Sequence, residues 1–179
     1  VANARLCENA GADAIEVSAY GNVAHAIAFT EAPLVHEPGG FIDFAKAVKQ
    51  AVSIPVIAVG RIEPEVGERG IAAGDFDYMA MGRKLLADPD LPNKLMAGKE
   101  KSVKPCIYCY ICVSQIFINR PVCCAVNHNT GREHEGDILA RTCSPKKILV
   151  IGGGPGGMEC ARLLAEKGHQ VSLWEKDAD

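Results

Sequence analysis

The sequence predicts an α/β protein built on parallel strands, and three observations lead there. Residues 1 to 98 alternate short apolar strands with amphipathic helices. From Lys146 a second strand, turn, helix and strand follow, and between the two regions lies a loop-dominated stretch holding the bunched cysteines. Strands that alternate with helices at this spacing imply a parallel sheet with right-handed crossovers, either open or closed into a barrel.

The elements follow in order. "ANARLCENAGAD" reads as the end of a helix stopped at Gly11, and "AIEVSAY" as the strand after it. "FIDFAKAVKQAV" puts Phe41, Phe44, Ala45, Val48 and Val52 on one face at helical spacing, as a helix lying on a sheet requires. "IPVIAVG" is nearly all apolar, as befits a strand buried on both faces. Pro64 suits the first turn of the next helix, "PEVGERGIAAG", although its internal glycines weigh against a helix. "DFDYMAMGR" is a third strand, and "LLADPDLPNKLMAG" leads away through a turn-rich helical segment.

A net charge of −3 with no basic tract argues against nucleic-acid or membrane-surface binding, because both need a concentrated positive field. The longest apolar runs fall far short of a bilayer span, and no signal peptide opens the chain, so a cytoplasmic protein is expected. Eight cysteines bunched mainly around one loop suggest metal ligation under reducing conditions more than a disulfide frame. The two architectures each normally need more residues than the 179 present, so the chain is expected to be a fragment.

The loop "GGGPGG" follows the strand "KILVI" and opens a helix, with Gly152, Gly154 and Gly157 in G-x-G-x-x-G spacing and Gly156 between them. In that context Gly152 permits the tight turn, Gly154 lets a pyrophosphate approach the backbone, and Gly157 lets helix and strand pack closely. The helix N-terminus adds N–H groups and a partial positive charge. Glu175, at the end of the second strand, is placed to bond a ribose hydroxyl, favouring FAD or NAD over a 2′-phosphorylated nucleotide. The competing reading is a glycine-rich turn without a ligand.

"AVGRI" and "AMGRK" each end an apolar strand with a Gly-Arg pair, Gly60-Arg61 and Gly82-Arg83, one βα unit apart. If these are the last two strands of a (β/α)8 barrel, both pairs sit at its C-terminal face, where glycine N–H groups and a guanidinium can grip a phosphate such as that of FMN. Taken singly, either arginine could as well cap a helix or form a surface ion pair.

Cys106, Cys109 and Cys112 follow C-x2-C-x2-C, and Cys123 and Cys124 come after a gap. Three thiolates at every third position can wrap one inorganic core, with the fourth ligand returning from elsewhere. Structural zinc more often uses two separated knuckles, so an iron-sulfur cluster is the better reading. Cys123 and Cys124 point to opposite sides of an extended chain, so one of them is spare. Cys7, Cys143 and Cys160 are read as incidental.

Taken in this order, the motifs resemble the Old Yellow Enzyme-like multidomain NADH:flavin oxidoreductases, which include 2,4-dienoyl-CoA reductase, 2-enoate reductase and trimethylamine dehydrogenase. "IPVIAVGRIEPE" looks like the seventh strand of their TIM barrel, "FDYMAMGRKLLADPDLPNKLMAGK" like the eighth strand with its exit, and "AIEVSAY" like the sixth. The resemblance implies three parts: an FMN-binding barrel segment over 1–98, a 4Fe-4S loop and linker over 99–145, and the start of a Rossmann-like FAD/ADP-binding domain over 146–179. Pro155 and the Met158-Glu159 pair also look more like the FAD than the NAD version of the glycine loop.

Residue by residue, the resemblance assigns Gly60, Arg61, Gly82 and Arg83 to the FMN phosphate. It assigns Cys106, Cys109 and Cys112 to the cluster. Relatives place the fourth cysteine three residues before an asparagine, which selects Cys124, with Asn127, and leaves Cys123 spare. Two positions depart from the family pattern: His128 stands where relatives have proline, and Tyr108 where they commonly have glycine.

The activity so implied passes electrons from NAD(P)H through FAD, the cluster and FMN to an activated C=C bond of a small unsaturated substrate. Amine-oxidising relatives run the flow in reverse, with FAD or only ADP in the nucleotide site. Tyr20, His25 and His36 fall in the loop after the sixth strand, and no catalytic residue is assigned among them.

Overall fold

The computed structural model describes residues 1–18, 37–135 and 140–177, so Tyr20, His25 and His36 lie outside the described residues. The chain divides into two compact units, Val1–His128 and Asn129–Asp179, and the cysteine segment is part of the first.

In the first unit, helix α1 (Ala2–Asn9) ends at Ala10, and Gly11 takes φ +92°, the left-handed conformation that lets the chain leave a helix. Strand β1 (Ile15–Val17), helix α2 (Ile42–Lys49), strand β2 (Val56–Ala58), helix α3 (Pro64–Ala72) and strand β3 (Tyr78–Met79) follow. The strands pair in parallel in sequence order, β1-β2-β3, with Ile15 opposite Val56 and Ala58 opposite Met79. Two short helices, α4 (Arg83–Ala87) and α5 (Leu91–Met96), lead from the sheet to the cysteines.

The core is the inner face of this layer: Ala45 and Val48 of α2 pack with Val17, Val56, Ala58, Ile62 and Phe76. Phe44, expected on that inner face, is instead 51% exposed and stacks on the buried Phe41 at 6.4 Å. The helix begins at Ile42, so Phe41 plugs the core from outside its first turn and Phe44 lands at the rim. Likewise Ile57 and Val59 are only half-buried, so β2 is not sealed on both faces.

The two glycines that weighed against α3 turn out to be the reason it fits. Gly67 and Gly70 are buried, and a Cβ on Gly70 would stand 2.4 Å from the Phe76 ring. The helix lies too close to the sheet for a side chain there, so packing overrides helix propensity. Lys46 and Lys49 of α2 tie down Asp75 and Asp77 at 2.8 and 2.7 Å, and Asp77 also accepts the Val56 N–H at 2.8 Å.

Among its described residues the loop-dominated segment contains one α-helix, α6 (Ile111–Phe117), which carries Cys112, and two 3-10 turns, Glu100–Ser102 and Glu133–Glu135. In the second unit β4 (Lys147–Ile151), α7 (Pro155–Glu166) and β5 (Gln170–Trp174) form a βαβ unit, with β4 and β5 parallel and Lys147 opposite Gln170. Arg162 bridges Glu159 and Glu166 along the outer face of α7, pairs that support the helix. Among the described residues no helix is long and apolar enough to cross a membrane.

Candidate functional site

Strand β2 ends at Ala58, and the chain then turns through Gly60 at φ +118°. A Cβ on Gly60 would meet the Phe41 ring at 2.4 Å, so glycine is required here by packing as well as by backbone angle. Strand β3 ends at Met79, and Gly82 caps α4 with Arg83 as its first residue. Because the two strands are hydrogen-bonded neighbours, the two Gly-Arg pairs emerge side by side. They line one cleft of about 220 Å³ with Val59, Lys84, Tyr108 and Val113.

Tyr108 comes from the cysteine segment and is the centre of this cleft's charge. The Arg61 and Arg83 guanidiniums lie 5.4 and 5.3 Å from its ring centroid, and the Lys84 ammonium 5.5 Å. Arg83 also lies 4.7 Å from the Tyr110 ring. Glu63, the residue before α3, accepts from Lys84 at 2.5 Å and from the Tyr108 hydroxyl at 3.1 Å. Burial opposes the Lys84 charge, but the bond to Glu63 holds its ammonium above the usual lysine range. Burial likewise pushes the Tyr108 phenol up, keeping it a neutral O–H donor. The cleft is therefore a concentration of positive charge with one carboxylate already engaged, which suits a phosphate.

Sequence reasoning found the two Gly-Arg pairs but not Glu63, Lys84 or the inward Tyr108. The signal lay in the motifs: "GRIE" and "GRK" carry a complementary acid and base beyond each arginine.

All eight cysteines are unbridged. Cys106, Cys112, Cys123 and Cys124 are half-buried, and Cys109 is exposed. The Tyr108 N–H donates to Cys106 Sγ at 3.4 Å. Tyr108 and Tyr110 both take left-handed backbone angles, φ 51° and 63°, which wind the C-x2-C-x2-C run tightly before α6 begins. Burial pushes the Cys112 thiol up, and the neighbouring charge of Cys106 adds to this. A cationic centre would stabilise such a thiol as the thiolate, and clustered thiols are a donor set that either an iron-sulfur cluster or zinc accepts.

Cys106, Cys109, Cys112 and Cys124 share one segment, but among the described residues no three His, Cys, Asp or Glu side chains are drawn together in a group that could hold a metal ion. Asn127, met in the sequence only as a marker for Cys124, is buried and donates to the Leu86 carbonyl at 2.8 Å, fixing the chain just after Cys124 to the end of α4.

In the second unit Gly152 takes φ +104°, and its N–H bonds the Trp174 carbonyl at 2.8 Å. A Cβ on Gly157 would stand 1.8 Å from the Gly152 carbonyl oxygen, so helix and strand approach as the motif requires. Gly154 caps α7, and a Cβ on either Gly154 or Gly156 would meet open space. Glu175 reaches back over the turn and accepts from Gly153 at 2.5 Å and Lys176 at 2.7 Å, bonds that hold its carboxyl below the usual range. An ionised carboxylate has further acceptor sites, so this latch is compatible with a ribose partner.

Residues 21–102 match the NADH:flavin oxidoreductase / NADH oxidase family, and residues 150–179 match an NAD(P)-binding Rossmann-like domain. The metal reductase of Desulforamulus reducens is 47% identical over 78% of this chain and 21% of its own length. The NADH oxidase of Thermoanaerobacter brockii is 39% identical over 97% of the chain and 27% of its length. The cinnamate reductase of Clostridium sporogenes is 40% identical over 81% and 22%. Among solved structures, a 2-naphthoyl-CoA reductase complex superposes with a TM-score of 0.84 at 32% identity, covering 98% of this chain and 27% of that one. Histamine dehydrogenase from Rhizobium sp. 4-9 gives 0.71 at 30% identity, over 82% and 22%. The chain thus spans only about a fifth to a quarter of the length of the curated relatives it matches. Because the family match takes in both Gly-Arg pairs and the relatives align through the cysteines, the chain belongs to the NADH:flavin oxidoreductase / NADH oxidase family.

Proposed function

We propose that this chain is part of a flavin and iron-sulfur oxidoreductase, in which three successive segments serve three redox groups. One observation carries the reading: both Gly-Arg pairs and Tyr108 of the cysteine segment line the same cleft. Gly60, Arg61, Gly82 and Arg83 hold the phosphate of FMN, Cys106, Cys109, Cys112 and Cys124 hold a 4Fe-4S cluster, and Gly152, Gly154, Gly156, Gly157 and Glu175 hold FAD or ADP. In this reading 1–98 is the end of a TIM barrel, 99–145 the cluster loop, and 146–179 the first βαβ of the nucleotide domain. When bound, these groups carry hydride and single electrons between NAD(P)H and substrate.

The chain's own residues bind and orient. The arginines neutralise phosphate charge, and Glu63 holds Lys84 and the Tyr108 hydroxyl in fixed positions in the cleft lining. The Tyr108 backbone N–H meanwhile donates to Cys106 Sγ, so one residue joins the cleft lining to the cysteine run.

The favoured substrate is a small molecule with an activated C=C bond, an enoate or enoyl-CoA, because relatives include proteins named cinnamate reductase and 2-naphthoyl-CoA reductase. Amine oxidation is the second reading, supported by the relatives named dimethylamine dehydrogenase and histamine dehydrogenase. Anaerobic purification of the full-length protein is expected to yield FMN and about four irons per chain. A colourless protein with stoichiometric zinc, and no flavin bleached by NADH, overturns the reading. NADH oxidation screened against enoates, enoyl-CoAs and methylamines separates the two substrate classes.

A further inference from the structure

We propose that Glu63 is a positioning residue for the cysteine run: by holding the Tyr108 hydroxyl it keeps the Tyr108 N–H on the Cys106 sulfur, where that N–H tunes the reduction potential of the metal centre. This rests on the reading of the cysteine run as the site of an iron-sulfur cluster. Glu63 stands just before α3, and one oxygen of its carboxylate accepts the Tyr108 hydroxyl at 3.1 Å. The Tyr108 N–H in turn donates to Cys106 Sγ at 3.4 Å. The second carboxylate oxygen accepts from Lys84, in α4, at 2.5 Å. The carboxylate is therefore anchored from two elements before it reaches the cysteine run. A hydrogen bond to a ligand sulfur stabilises the extra negative charge of the reduced centre, and so raises its potential.

The backbone gives an independent sign. Tyr108 takes φ 51°, a left-handed angle that costs an aromatic residue energy. Such a conformation persists where the surroundings over-determine it. The N–H that reaches Cys106 belongs to this strained residue, and the bond from its hydroxyl to a residue 45 positions earlier helps to hold the strain.

The test is an EPR-monitored redox titration of the full-length, anaerobically purified protein, with iron content measured alongside. Tyr108→Phe changes no charge and removes only the hydroxyl. Its midpoint potential is expected to fall by about 59 mV, a tenfold change in a one-electron equilibrium, with about four irons retained. The same substitution is then made in Glu63→Gln and Glu63→Ala backgrounds, so that the charge removed with Glu63 cancels from the comparison. The fall is expected to persist beside glutamine, which keeps an acceptor oxygen, and to vanish beside alanine. An unshifted potential in Tyr108→Phe overturns the proposal, as does a full shift in the Glu63→Ala background, because the hydroxyl would then act without Glu63. Loss of iron from Tyr108→Phe also overturns it, since the bond would be needed to build the centre rather than to tune it. Wild-type protein that holds zinc in place of iron overturns the cluster reading itself, a result distinct from all of these.

Discussion

The Lys94 ammonium donates to the Asp88 carboxylate at 2.6 Å, and Asp88 is only 3% exposed. The same carboxylate accepts the Lys104 N–H at 2.8 Å and the Asp90 N–H at 3.2 Å. Asp88 therefore ties the turn between α4 and α5 to the strand of chain that enters the cysteine run at Cys106. Removing it in Asp88→Ala leaves two backbone N–H donors without their acceptor and the partly buried Lys94 ammonium with the Ser102 carbonyl in place of a carboxylate. A loss of about 2 kcal/mol in urea unfolding is expected, with Asp88→Asn, which keeps an acceptor oxygen, losing less.

The same group sets a pH dependence. Burial pushes the Asp88 carboxyl up, but Lys94 and the two N–H donors outweigh it and hold the carboxyl below its ordinary value. A folded-state pKa below the unfolded one gives stability that is complete above the unfolded value of about 4 and is lost as pH falls through the folded value. Thermal midpoints are thus expected to drop on acidification below about pH 4. The drop should be shallower in Asp88→Asn, and identical slopes in the two proteins would remove Asp88 from the account.

Gly70→Ala tests packing against propensity. Alanine favours a helix by up to about 1 kcal/mol over glycine, yet the new Cβ would stand 2.4 Å from the fully buried Phe76 ring. Overpacking of this kind costs about 1 to 3 kcal/mol. Net destabilisation in chemical unfolding is the expected sign, and a more stable variant would show that Phe76 can yield.

The glycine loop offers a paired comparison by nucleotide titration. Gly157→Ala drives a Cβ into the Gly152 carbonyl and is expected to abolish FAD or ADP binding, whereas Gly156→Ala meets open space and keeps its N–H, so binding should survive. Equal tolerance at both positions would mean that close helix-strand approach is not what the nucleotide needs.

The fourth cluster ligand is decided by iron analysis after anaerobic purification. Cys124→Ser is expected to lose the cluster and its visible absorbance, and Cys123→Ser to keep about four irons. Neighbouring side chains diverge, so a single ligand is expected from the pair. The reverse result would transfer the role to Cys123.

Short motifs were legible because their chemistry is local. The Gly152 turn and the Gly157 contact depend on backbone within one βα turn, and both take the geometry that their spacing implies. Phe44 shows the limit: helical periodicity put it on the inner face, but the start of α2 at Ile42 left Phe41 to fill the core instead. Gly67 and Gly70 show the opposite limit, since propensity argued against a helix that the nearness of Phe76 and Met79 makes possible.

By itself the sequence determined the parallel α/β layout, the two Gly-Arg pairs, the cysteine run and the nucleotide loop. Each follows from periodicity or from a spacing of fewer than about a dozen residues, within which chain geometry is nearly fixed. Only the tertiary structure decided that Tyr108, forty-five residues beyond Glu63, lies among Arg61, Arg83 and Lys84. That meeting depends on the parallel pairing of β2 with β3 and on the path by which α4 and α5 return the chain over the strand ends. Contacts between residues so distant in sequence are set by packing, and no local pattern encodes them.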